Sequence, residues 1–119
     1  RNLFLASQIS ESDLEQAQLV KQLAITRIKD LLPHGTLLCL PTTPFCAPRV
    51  GLPTHQTDHL REQISVLCCH GGLTGVPQVS IPGDTVGEDH APVGLSIVAG
   101  HNYDTDLLAV ALALESKHV

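Results

Sequence analysis

The sequence predicts an α/β fold. Three observations point there. A helical stripe of apolar residues opens the chain, short apolar runs fenced by Pro and Gly follow it, and further helical spacings separate and end those runs. The resulting order is helix, strand, helix, strand, strand, helix.

Residues 10–32 read as the first helix. Ser12-Asp-Leu-Glu15 matches a capping box, in which a Ser oxygen takes a first-turn amide and a Glu reaches back to the cap. Leu14, Ala17, Val20, Ala24, Ile28 and Leu31 then recur at helical spacing, with Gln16, Lys21, Lys29 and Asp30 off the stripe. Pro33 and Gly35 stop the helix. Thr36–Leu40 is an almost continuous apolar run, which suits a central strand buried on both faces. Pro41-Thr-Thr-Pro44 can continue neither a ladder nor a helix, and residues 45–56 read as an extended loop. A second helix runs from Thr57 or Asp58 to about Cys69, with Leu60, Ile64, Leu67 and Cys68 on one face and Gly71-Gly72 as its stop. Gly75 fits a backbone with positive φ between helix and strand.

Pro77–Pro82 reads as a strand, residues 83–90 as an acidic loop or hairpin connection, and Pro92–Ala99 as a longer strand. Gly94 allows a neighbouring backbone to approach closely. Asp104 or Thr105 caps the last helix, residues 106–116. Its apolar face holds Leu107, Leu108, Ala111 and Leu114 or Leu112. A central Thr36–Leu40 needs a neighbour on each side. Three strands between three helices offer too few, so residues 1–119 read as part of one domain rather than a self-sufficient sheet.

At 43% hydrophobic, the 119 residues are too apolar for a disordered chain. Seven Lys and Arg against twelve Asp and Glu, a formal net charge of −5, provide no basic face for nucleic acid and no polybasic segment for a membrane surface. The densest apolar run, Leu107–Leu114, falls far short of the roughly 20 residues a spanning helix needs. No signal peptide is visible. Cys39, Cys46, Cys68 and Cys69 form no CxxC pattern and fit a reducing compartment, the cytoplasm, as small buried hydrophobes. The chain opens on Arg1 and contains no Met, which reads as a processed chain or a fragment.

The seven histidines raise the question of a metal. His55 and His59 stand four apart, and Cys68, Cys69 and His70 are adjacent. His55 precedes the expected helix start, however, and paired ligand spacings are missing, so no metal or other cofactor is expected. A Cys69–His70 or Cys39–His nucleophile pair has only sequence adjacency or none in its favour. There is no G-x-S-x-G elbow, and Gly71, Gly72 and Gly75 form no phosphate-binding loop. Asp58, Glu62, Asp84, Glu88 and Asp89 are carboxylates, the last three reading as solvated loop charge.

Three segments carry a resemblance. Leu38-Cys-Leu-Pro-Thr-Thr-Pro-Phe-Cys-Ala-Pro48, Leu73-Thr-Gly-Val-Pro-Gln-Val-Ser-Ile-Pro82, and Ala91-Pro-Val-Gly-Leu-Ser-Ile-Val98 followed by Asp104, Asp106 and Leu-Leu resemble, in order and spacing, the C-terminal end of the amidase signature family's catalytic domain. The resemblance implies the C-terminal part of a large α/β fold, here helices packed on a small mixed sheet in an incomplete domain. It also implies hydrolysis of carboxylic amides, by a Ser–cis-Ser–Lys triad with backbone amides holding the oxyanion. The Gly/Ser-rich signature and the Lys-bearing strand of that family are absent. Only Lys21, Lys29 and Lys117 are present, and Ile28-Lys29-Asp30 lies late in a helix. No catalytic residue is therefore assigned.

The resemblance makes the second helix a pocket wall, with Ser65 and Cys69 facing a small-molecule amide substrate and Glu62 at the rim. Their i, i+3, i+7 spacing places them on one helical face. In one branch of the family a carboxylate at the Ser65 position binds a substrate ammonium, and Ser65 argues against that substrate class. Simple packing of Ser65 and Cys69 is the competing account. The implied partner is the missing N-terminal amidase portion or a separate triad-bearing chain.

Overall fold

The computed structural model describes residues 4, 6–87 and 90–116. Arg1, Glu88, Asp89 and Lys117 lie outside the described residues. The order is α1 (Glu11–Leu31), β1 (Leu37–Pro41), α2 (Thr54–Cys68), α3 (His70–Thr74), β2 (Gln78–Val86), β3 (Ala91–Ala99) and α4 (Asp104–Glu115).

The sheet is three-stranded with order β1-β3-β2. Both ladders are antiparallel: Cys39 stands opposite Ile97, and Val79 stands opposite Ile97 from the other side. The mixture of directions expected from the resemblance does not appear in these three strands. β2 and β3 are joined by a short hairpin connection, which permits only antiparallel pairing. The central strand is β3, not β1. Its Ser96, Ile97 and Val98 are fully buried, whereas β1 lies at the edge with Leu37 and Leu38 each 38% exposed. The expected two-sided burial of Thr36–Leu40 is thus corrected. An apolar run reads the same whether its neighbours are present or not.

The register also fixes which way the edge faces. Thr42 N–H donates to Gly94 O at 2.8 Å, so the even-numbered residues turn their polar backbone towards β3. Leu37 and Cys39 therefore point N–H and C=O outward, and Pro41 has no N–H to offer.

Two apolar clusters hold the sheet. On one face Ile81, Ile97 and Ala99 pack against Leu107 and Ala111 of α4. On the other, Val98 packs against Val76 and against Ile28 and Leu32 at the end of α1. Leu108 and Leu112 of the expected α4 face point to solvent instead, and Val110 packs inward. Among the described residues only the C-terminal end of α1 is docked. Leu14, Val20 and Leu31 of the expected stripe are exposed, while Ile28 and Leu32 are buried. The radius of gyration is 17.2 Å, against about 13.5 Å for a compact domain of this length.

Helix boundaries differ from expectation for local reasons. α1 is capped by Ser10, not Ser12: the Ser10 hydroxyl accepts from Asp13 N–H at 3.1 Å and Asp13 accepts from Ser10 N–H at 3.0 Å. The Ser10 hydroxyl, 2.6 Å from Asp13 Oδ2, and then the Ser10 N–H hold the Asp13 carboxyl below its ordinary value. α2 begins at Thr54, directly after Pro53, which brings His55 inside the helix. Gly71 and Gly72 do not end it. They lie within α3; α2 ends at Cys68, and Gly75, at φ 77° as the sequence suggests, ends α3. β2 continues past Pro82 through a register shift before Thr85. α4 starts at Asp104 with Tyr103 as its cap and no side-chain cap bond, so Asp104 and Asp106 occupy the positive first turn instead of capping it.

Candidate functional site

The candidate site is built around α2 and the loop that leads to it. Pro41 and Pro44 end β1 and send residues 45–53 across to the start of α2. Ile64, Leu67 and Cys68 are half-buried and form the inward face of the helix. Glu62, Ser65 and Cys69 all lie on its exposed side. The Ser65 hydroxyl donates back to Arg61 O at 2.9 Å, one turn earlier. None of these three lines the two cavities described below. The site they would form is an open wall.

A larger concavity lies beside them. A cleft of about 640 Å³ opens between the 45–52 loop and the first half of α2, lined by Phe45, Pro48, Leu52, His55, His59 and Leu60 among others. Its walls are mainly apolar. A smaller hollow of about 250 Å³ lies at the far end of the sheet between His34 and Tyr103, whose rings meet edge-on at 4.9 Å.

Beneath α2, three hydroxyls converge on the open face of the sheet. Thr42 Oγ1 shares hydrogen bonds with Ser80 Oγ at 2.6 Å and Ser96 Oγ at 3.2 Å. Ser96 is fully buried, and Ser80 is exposed. The Cys68 thiol donates to Thr42 O at 3.0 Å. Sequence reasoning missed this cluster. The available signal is a serine interrupting each of two apolar runs, Val-Ser-Ile in β2 and Leu-Ser-Ile in β3, but only the register shows that Ser80 and Ser96 are partners.

Of the nucleophile candidates, Cys39 and Cys69 are exposed, and all four cysteines are free thiols. His70 Nδ1 is buried without a hydrogen-bond partner among the described residues. His101 Nε2 lies 2.7 Å from Thr74 O, which can only accept, so this nitrogen carries the proton and Nδ1 is left buried and unpartnered. Among the described residues, no group of three or more His, Cys, Asp or Glu is placed to hold a metal ion. Nor is any helix among them long and apolar enough to cross a membrane.

Comparison with known proteins bears on what this geometry serves. Amidase 1 of Oryza sativa subsp. japonica is 34% identical over 106 residues, which make up 89% of this chain and 24% of that protein. A glutamyl-tRNA(Gln) amidotransferase subunit of Thermus thermophilus is 33% identical over 111 residues, 93% of this chain and 23% of that one. Amidase 1 of Arabidopsis thaliana is 28% identical over 109 residues, 92% of this chain and 25% of that one. The chain is distantly related to amidases. It spans about a quarter of the length of these relatives. No protein-family model matches it.

Proposed function

We propose that the chain is the C-terminal portion of the catalytic domain of an amidase-signature hydrolase acting on carbon–nitrogen bonds of carboxylic amides. It contributes sheet strands and the α2 wall of the substrate pocket. The Ser–cis-Ser–Lys triad is carried by another part of the polypeptide. The observation behind this reading is the pattern of similarity: nearly all of the chain aligns, and it aligns to only a quarter of each relative. In this reading residues 1–119 are one segment of one domain. Glu62, Ser65 and Cys69 face the amide substrate once the rest of the pocket stands opposite them. The compartment is the cytoplasm, where four free thiols stay reduced.

Exposed apolar residues on α1 and β1 favour a second reading, a non-catalytic module or split subunit that docks on a triad-bearing partner. One measurement tests the first reading: ammonia release from a panel of aliphatic and aromatic amides by the purified chain. No turnover is expected. Turnover clearly above that of a Ser65→Ala, Cys69→Ala control would overturn the assignment of the chemistry to another segment. Extending the reading frame upstream of Arg1 separates the two readings. A Gly/Ser-rich signature and a Lys-bearing strand in frame support the first, and a start codon just before Arg1 supports the second.

A further inference from the structure

We propose that Thr42 is the positioning residue for α2, fixing where that helix stands over the sheet. Among the described residues α2 has no extensive contact with the strands or with any other element. What ties it down is the Cys68 thiol on the Thr42 carbonyl, at 3.0 Å. That carbonyl is in turn held by everything that holds Thr42. The residue extends the β1–β3 ladder by one bond, from its N–H to Gly94 O at 2.8 Å. Its side chain then lies across β3 and meets Ser80 on β2 at 2.6 Å, with the buried Ser96 at 3.2 Å. One residue thereby links three strands to a helix.

Gly94 makes the crossing possible. A Cβ there would sit 2.6 Å from Thr42 Oγ1, 3.0 Å from Thr42 Cβ and 3.3 Å from Ser80 Oγ. No side chain at position 94 can share that space with the Thr42 hydroxyl. The glycine leaves a groove over β3 just wide enough for one small branched hydroxyl side chain. Serine keeps the oxygen, and valine keeps the shape and loses it. The consequence for catalysis rests on the pocket-wall reading of α2. The coupling of Thr42 to Cys68 does not.

The test reads the Cys68 thiol and needs no amide turnover, so the failure of one proposal is distinguishable from failure of the other. In the full chain with Cys69→Ser, iodoacetamide alkylation of Cys68 is followed by peptide mass spectrometry between about pH 7 and 9. Loss of the Thr42 hydroxyl leaves the Thr42 carbonyl in place but no longer anchored through Ser80 and Ser96, so that it moves off the Cys68 thiol. Thr42→Val and Gly94→Ala are therefore expected to speed alkylation roughly 3- to 10-fold, the range that the loss of one ordinary hydrogen bond produces. Thr42→Ser is expected to stay within about twofold of the parent. Hydrogen exchange of the β3 amides at 95–99 should be unchanged in these variants. The proposal is overturned if Thr42→Val alkylates at the parent rate, if Thr42→Ser is as fast as Thr42→Val, or if β3 exchange rises in parallel with alkylation. Should Thr42→Val fail to fold, Ser80→Ala decides. It removes one exposed hydroxyl, and an unchanged Cys68 rate there overturns the proposal equally.

Discussion

Gly100→Ala should be among the most damaging small substitutions in this chain. Gly100 follows β3 directly, where the end of α1 crosses the sheet. A Cβ at this position would lie 2.6 Å from the Leu32 carbonyl oxygen and 3.2 Å from the Tyr103 ring. The first contact is with backbone, and Leu32 is the buried residue that ends α1, its N–H bonded to Ile28 O. The carbonyl cannot rotate away without breaking that end. The ring is braced against His34. The methyl must therefore push α1 off the sheet, at the roughly 1–3 kcal/mol typical of overpacking a closed site. Gly72→Ala is the control. It lies in α3 with nothing within 4 Å of the added Cβ, and Ala is favoured over Gly in a helix by about 0.5–1 kcal/mol. The two single-methyl changes should thus separate by roughly 2–4 kcal/mol. For a chain this size that is a Tm gap on the order of 10 °C, with Gly100→Ala below the parent and Gly72→Ala above it. Thermal unfolding followed by circular dichroism measures it. If Gly100→Ala melts at or above the parent temperature, α1 does not end against β3, and the docking of that helix on the sheet is wrong.

Other outcomes follow from the same packing. Ile97→Ala empties the fully buried centre of the β2–β3–α4 layer and should cost about 2–5 kcal/mol, whereas Leu19→Ala, at a residue 66% exposed on α1, should stay within about 0.5 kcal/mol in denaturant titration. The free edge of β1 should make the chain self-associate in sedimentation velocity, and Leu38→Lys should shift it towards monomer; a parent chain that is already a monodisperse monomer sinks that inference. The cap of α1 should respond to acid. Because folding lowers the Asp13 pKa, its contribution is fully present above the ordinary value of 3.8 and is lost as pH falls through the lower folded value. Helicity that drops in that window in the parent but not in Ser10→Ala is the expected signature, and identical acid profiles would count against the cap.

The elements are legible in the sequence because each is punctuated locally. Pro33, Pro41 and Gly75 stop or bend the chain by constraints that act within a few residues. The choice of Ser10 over Ser12 as the cap is not legible, since both serines precede acidic residues three positions on, and only the path of the chain chooses between them. Burial is misjudged where it depends on neighbours. The run Thr36–Leu40 has the composition of a central strand, and Leu14, Val20 and Leu31 have the spacing of a core stripe, yet β1 is an edge and the three helix residues face solvent. Hydrophobic pattern reports what a surface is suited to meet, not whether the chain itself supplies it. For the candidate site, the i, i+3, i+7 face of Glu62, Ser65 and Cys69 is readable from helical geometry. The Thr42–Ser80–Ser96 cluster is not, because it depends on the register of three strands.

The misjudged residues agree with one another. Most of a helix's stability in a protein comes from tertiary packing of its apolar face, yet α1, 21 residues long, is buried only near Ile28 and Leu32 among the described residues. Leu19 and Leu23, 66% and 70% exposed, lie on the length of helix that no described residue covers. Each such side chain would gain up to about 1.5–3 kcal/mol if fully buried. β1 offers two outward N–H groups and apolar side chains beside them. Both features ask for the same kind of cover, an apolar layer that includes a strand. A polar surface without a strand could bond the two N–H groups but would leave the apolar side chains uncovered. The proposed parent fold, about four times this length by its relatives, would supply such a layer within one polypeptide. In the proposed reading that layer also stands opposite α2, where Glu62, Ser65 and Cys69 are exposed. Covering the apolar surfaces and closing the substrate pocket are then a single event, and a variant that weakens the first, such as Leu23→Lys, should impair the second in the intact protein although it lies on a different helix.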